Sequence, residues 1–148
     1  MAAKKLNLDN FLPYRLSIAS NALSERIAAE YQNRFGLKIP EWRLMAVLGE
    51  GKPKTQRELV EATRMDKVTV NRAAKALADR QLIARQAHEV DGRSHHLELT
   101  ATGWSLYDAI VPAALASEAQ LGSRISAAER ETMMAILAKL TAAAEDYA

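Results

Sequence analysis

The chain contains no cysteine. That excludes disulfides, thiolate metal sites and any redox sensor built on a thiol, and it suits a cytoplasmic protein. No apolar run approaches the ~18–20 residues needed to span a bilayer. The start, Met1-Ala2-Ala3-Lys4-Lys5, has basic residues with no apolar segment behind them, so it does not read as a secretory signal. Charge of one sign is also lacking: 20 Lys and Arg face 18 Asp and Glu, for a net +2. So mild a bias points to no partner by itself; the placement of the charges has to. There is no low-complexity linker and no internal repeat.

Catalytic and metal signatures are absent as well. No nucleophile, base and acid stand in a recognisable context, so no enzyme is expected. Gly49-Glu50-Gly51-Lys52 lacks the spacing of a phosphate loop, and Pro53 stands where its Ser or Thr would be. His88, His95 and His96 fall close together, but adjacent strand residues point to opposite faces and no further ligand accompanies them. No metal and no cofactor are expected.

What is present is helical periodicity with one interruption. Its 148 residues make one ordinary domain, and 49% apolar residues allow a core. Leu8, Leu12, Leu16, Ala19, Leu23 and Ile27 recur at three- and four-residue steps, widened by Phe11, Ile18 and Ala22. This predicts a first helix over 9–34, its apolar stripe facing the core or a partner chain, with Gly36 as its stop. Pro40 suits the first turn of a second helix, which Gly49, Gly51 and Pro53 end. Thr55 and Glu58 form a capping box for a short third helix to about Ala62. After a tight turn, Asp66 caps a fourth helix to about Arg80. Residues 82–99, with Asp91-Gly92 as the turn signal, predict a two-stranded hairpin. Thr100 caps a fifth helix, in which Pro112 should kink or shorten the run. Ser126 and Glu129 box the start of a sixth.

Two short helices, a tight turn and a following hairpin are the order of a winged helix-turn-helix. On the fourth helix Val70, Ala73, Ala74 and Leu77 share one face and should pack inward. Lys67, Val68, Asn71, Arg72 and Lys75 share the other, which has three cations, one amide and no carboxylate. Arg can take guanine O6 and N7 in a bidentate contact, Asn can take adenine N6 and N7, and Lys neutralises phosphate. Arg93, at the tip of the hairpin, can enter a minor groove, with Asp91 to orient its guanidinium. A solvated amphipathic helix and an ordinary Asp-Gly turn would carry some of the same residues, and a helical protein-interaction module remains the competing class.

From Glu41 to Gly103 the chain resembles the MarR family of bacterial regulators. The resemblance rests on P-E-W-R-L-M-A-V-L at 40–48, Q-R-E-L-V at 56–60 and M-D-K-V-T-V-N-R at 65–72. It continues in L-I-A-R at 82–85, D-G-R at 91–93 and L-T-A-T-G at 99–103. It implies a mainly helical fold with a small hairpin wing: a winged helix-turn-helix over 40–100 and dimerisation helices over 1–36 and 101–148. It implies a homodimeric repressor on a palindromic operator in double-stranded DNA. Lys67, Val68, Thr69, Asn71 and Arg72 would lie at the major groove, Arg93 supported by Asp91 in the minor groove, and Thr55, Gln56 and Lys75 near phosphates. One position departs from the family's pattern: Gln81 stands where the family usually has Gly. A left-handed backbone there costs about 1 kcal/mol without Gly, which packing of Leu82 and Ile83 should absorb.

Members of this family commonly respond to a small aromatic or phenolic ligand. The form of residues 65–72, with P-E-W-R at 40–43 and Tyr14-Arg15-Leu16-Ser17, is similar to members answering to aromatic acids or hydroxycinnamoyl-type compounds. A pocket of that kind needs apolar walls and a group for a carboxylate. Tyr14, Arg15, Ser17, Trp42 and Arg43 are the candidates. Trp42 could instead be core, and Arg15 could be an ion-pair partner. A regulator with no effector is the third alternative.

Overall fold

The computed structural model describes residues 3–87 and 95–147. The element order is α1 (Leu12–Phe35), α2 (Ile39–Leu48), α3 (Gln56–Thr63), α4 (Lys67–Asp79), β1 (Ile83–Ala87), β2 (His95–Leu99), α5 (Ala101–Gly122) and α6 (Ala127–Glu145). Two compact units are distinguished, Met1–Ala114 and Leu115–Ala148.

Helix ends in the first unit are set by local chemistry. Leu8–Asn10 forms a separate 3-10 turn and Phe11 is extended, so α1 starts at Leu12, later than the sequence pattern predicts, with Pro13 in its first turn. Its end is a left-handed Gly36, φ 66°, whose N–H donates to Gln32 O at 3.0 Å, while Leu37 N–H donates to Tyr31 O at 3.4 Å. That paired closure seats Leu37 in the core. At α2, Pro40 occupies the first turn and the buried Glu41 carboxylate accepts the Lys38 N–H at 3.2 Å.

The capping box of α3 forms as the sequence predicts. Glu58 N–H donates to Thr55 Oγ1 at 3.1 Å, and Thr55 N–H donates to Glu58 Oε1 at 3.3 Å. The turn to α4 passes through Arg64 in the left-handed region, φ 55°. Thr63 steadies that turn, its hydroxyl donating to Leu59 O at 2.6 Å and accepting from Met65 N–H at 3.3 Å.

The core of this unit draws on every element around α4. Leu44, Met45 and Leu48 of α2, Leu59 of α3, and Val70, Ala73, Ala74 and Leu77 of α4 are buried together. Leu82, Ile83, Leu97, Leu99 and Ile110 close the cluster. β1 and β2 pair antiparallel with Ile83 opposite Leu99 and Arg85 opposite Leu97. Lys54, just before α3, adds a single bridge on the other side of β2, exchanging hydrogen bonds with Leu97 at 3.0 and 2.7 Å. The hairpin is thereby fastened to the helical pair it follows. Helix, tight turn, helix and hairpin make this a winged helix-turn-helix.

Gln81 adopts the left-handed conformation, φ 59°, at the departure noted in the sequence. The next residue closes the helix, Leu82 N–H donating to Leu77 O at 3.0 Å, and both Leu82 and Ile83 are buried. Thr100 Oγ1 donates to Gln81 O at 2.7 Å and accepts Gly103 N–H at 3.0 Å, so one hydroxyl holds the strained carbonyl and caps α5. Gly103 is required by proximity: a Cβ there would overlap the Leu82 carbonyl oxygen.

α5 runs through Pro112 without being shortened. Proline removes one N–H donor, and the helix that continues beyond it contradicts the expectation of a restricted length. In the second unit, Ser126 and Glu129 cap α6 reciprocally at 3.1 and 2.9 Å. Arg130 pairs with Glu118 at 3.1 Å, tying α6 to the end of α5. No helix among the described residues is long and apolar enough to cross a membrane.

Candidate nucleic-acid interface

The α4 sequence divides its surface sharply. At about 100° per residue, Val70, Ala73, Ala74 and Leu77 occupy one arc, and all four are buried. Val68, Asn71, Arg72 and Lys75 stand at i, i+3, i+4 and i+7 on the opposite arc, and all four are exposed. Lys67 borders that arc on one side and Thr69 on the other. Among the described residues no ion pair engages Lys67 or Arg72. Lys75 pairs with Asp79 one turn on, at 3.2 Å. Both partners are well exposed, so the pair holds Lys75 only weakly. Ala73 and Ala74, being small, seat the helix close to its support.

Asp66 sets the start of this face. Its Oδ1 accepts Thr69 N–H and its Oδ2 accepts the Thr69 hydroxyl, each at 2.8 Å. The backbone bond from Thr69, followed by its hydroxyl, holds the Asp66 carboxyl below the usual carboxylate range. Thr69 therefore spends its hydroxyl proton on the cap. Thr55 is committed likewise: its hydroxyl donates to Glu58 Oε1 at 3.1 Å. Gln56 follows it in the first turn of α3, half-buried. The Thr55 backbone N–H is the chief reason Glu58 also lies below the ordinary range. Asp91 and Arg93 lie outside the described residues, as does His88.

The candidate ligand residues divide into two groups. Tyr14, Arg15 and Ser17 are exposed in the first turns of α1, so Arg15 does not lie on a buried stripe. Trp42 and Arg43 open α2 beside Tyr31. From Tyr14 to Tyr31 along α1 is about 25 Å at the helical rise, so one chain does not gather all five. Around Trp42 stands a ring cluster that sequence reasoning missed. Tyr31 lies 5.6 Å from Trp42 between centroids, Tyr107 stacks on its ring at 5.9 Å, and Trp104 meets Tyr107 edge-on at 5.6 Å. Burial pushes the Tyr31 phenol up, and the positive charge of nearby Arg43 partly offsets it. No local signal joins residues so far apart in sequence. Among the described residues no group of His, Cys, Asp and Glu is placed to hold a metal ion.

Comparison with known proteins agrees with this architecture. The model of the MarR family matches residues 35–94. The HTH-type transcriptional repressor NicR of Pseudomonas putida is 33% identical over 97 residues, 65% of this chain and 61% of that repressor's length. A MarR/EmrR family transcriptional regulator from Acinetobacter sp. ADP1 superposes with a TM-score of 0.87 at 26% identity, over 95% of this chain and 99% of that one. A probable transcriptional regulator from Pseudomonas aeruginosa reaches a TM-score of 0.74 at 30% identity, over 90% and 99% of the two chains.

Proposed function

The chain belongs to the MarR family, and from that premise we propose that it is a homodimeric, sequence-specific DNA-binding transcriptional regulator, a repressor released from a palindromic operator by a small aromatic or phenolic ligand. The observation that carries this is the outward arc of α4, where Arg72 and Asn71 stand exposed between lysines with the opposite arc buried. In the major groove Arg72 reads guanine and Asn71 reads adenine. Lys67 and Lys75, with Gln56 and Thr55 at the start of α3, lie along phosphates. Arg93 enters the minor groove with Asp91 as its support, an assignment that rests on the sequence.

Dimerisation has its own support. Phe11 just before α1, Leu12, Leu16 and Leu23 on α1, and Met133, Ile136 and Leu137 on α6 are exposed apolar side chains. A second copy would cover them. A twofold pair presents two recognition helices about 34–36 Å apart to successive major grooves, hence a palindrome. Repression follows the name of the Pseudomonas putida relative.

Trp42 packs between Tyr31 and Tyr107 against the core, so at most its outer edge would form a wall of the ligand site, with Arg43 as the group for a carboxylate. Tyr14, Arg15 and Ser17 lie too far along α1 to join it in the same chain; a second copy would have to supply them. A ligand bound there changes the spacing of the two recognition helices. It regulates only if its affinity differs between free and DNA-bound forms.

The test is duplex binding by purified protein, using sequences selected from a randomised pool, with and without a panel of aromatic acids. Selection of a palindrome, bound more weakly as salt rises, is the expected result. Weakening by at least one acid supports the effector. Unchanged affinity across the panel leaves a regulator without one, and no selection at all favours an interaction module.

A further inference from the structure

Val68 is the anomaly of the recognition helix. It is 65% exposed although it sits in the first turn of a helix whose other large apolar residues, Val70 and Leu77, are fully buried. By the 100° step it lies about 180° from Leu77, at the middle of the outward arc, with Asn71, Arg72 and Lys75 around it. A β-branched residue is a poor choice for a solvated helix position, where Ala, Lys or Glu would serve better. Its side chain contributes nothing to the core. It stands where a base edge would come.

Resting on the DNA-binding assignment above, we propose that Val68 is a specificity-determining residue that reads the 5-methyl group of a thymine. The thymine methyl is the one apolar feature on the major-groove edge of the standard bases, and aliphatic side chains recognise it by contact. The neighbours fit that role. Asn71 is one turn on, about 4.5 Å along the axis, against a rise of about 3.4 Å per base pair. An adenine taken by Asn71 and a thymine taken by Val68 are therefore on adjacent or nearly adjacent pairs. Thr69 cannot substitute as a hydrogen-bond donor to a base, because its hydroxyl proton is held by Asp66 Oδ2 at 2.8 Å. At position 68 the helix thus offers methyl groups where a polar reader would offer donors.

The experiment uses the full chain and a duplex selected by it from a randomised pool. Each thymine of the selected duplex is replaced singly by deoxyuridine, which removes the methyl and keeps the pairing. At one thymine in each half-site the wild type should lose about fourfold in affinity, the equivalent of one methyl-sized group left unburied. Val68→Ala should bind the thymine and uracil duplexes equally, with a melting temperature no lower than the wild type's, since Ala is the better helix former. The proposal is overturned if no uracil position weakens the wild type. It is overturned equally if the uracil effect persists in Val68→Ala and disappears in Thr69→Ser, which would make Thr69 the reader. If no duplex is enriched from the pool, the DNA-binding assignment fails and this proposal falls with it; in the other outcomes DNA binding stands and only the role of Val68 is decided.

Discussion

Arg80, just past the last turn of the recognition helix, donates from its guanidinium to the Phe35 carbonyl at 2.9 Å and to the Gly36 carbonyl at 3.3 Å. Those carbonyls belong to the end of α1, so a cation closing one helix is also the cap of another 45 residues away in the chain. Cations are favoured at helix C-termini, and here the contact fixes where α4 sits relative to α1. Arg80→Ala should lower stability by about 1 kcal/mol, since the bonds are solvent-exposed, a fall of roughly 2–4 °C for a chain of this size. Arg80→Lys should recover part of it. Thermal melts of the three proteins check this.

Gly49 and Tyr107 make a second long-range contact. Gly49 has ordinary right-handed helical geometry, φ −66° and ψ −13°, so its backbone would accept alanine. A Cβ there would run into the Tyr107 ring. Gly49→Ala should therefore destabilise by about 1–3 kcal/mol through overpacking. In a Tyr107→Ala background the same change should be neutral or slightly stabilising, because the ring is gone and glycine's entropy cost remains. Chemical denaturation of the four proteins of this cycle gives the coupling.

At Gly103 the obstacle is backbone, the Leu82 carbonyl, which cannot swing aside as a ring can. Gly103→Ala should be the most damaging of these substitutions, with a loss above about 3 kcal/mol, because it drives the start of α5 away from the Leu82 backbone just before β1. A melting temperature within 2–3 °C of wild type would contradict the close approach described here.

Three capping carboxylates, Asp66, Glu58 and Glu129, are held below their ordinary range by the N–H groups they accept. A carboxylate whose folded pKa is depressed stabilises above its unfolded value and loses that contribution as pH falls through the folded one. Stability should thus be level near neutrality and decline below about pH 4, where unfolded Asp and Glu titrate. Asp66→Asn keeps an oxygen for the Thr69 N–H but removes one titrating group. Its melting temperature should fall less steeply with acid than the wild type's between pH 5 and pH 2.

The parts of this fold that the sequence made legible are those settled within one helical turn. Thr55 with Glu58, Asp66 with Thr69, and Ser126 with Glu129 are side chains answering backbone groups three residues away. The two faces of α4 follow from spacing alone. Contacts between distant segments were not legible: Lys54 with Leu97, Arg80 with Phe35, and Trp42 with Tyr107 have no local pattern. For that reason the ring cluster around Trp42 has no signal in the sequence. Of the two outcomes expected at Pro112, a kink or a shortened helix, the shortening does not occur. The basic arc of residues 67–75 is as the spacing implies, apart from Asp79, which reaches back from the next turn to Lys75.

Arg72 bears most directly on whether the outward face of α4 reads DNA. The measurement is the affinity of wild type and Arg72→Ala for the selected duplex and for a scrambled duplex of the same composition. Loss of one bidentate base contact should weaken the selected duplex by about 5- to 150-fold and the scrambled duplex far less. Equal affinity of the variant and the wild type for the selected sequence would contradict the assignment of this face.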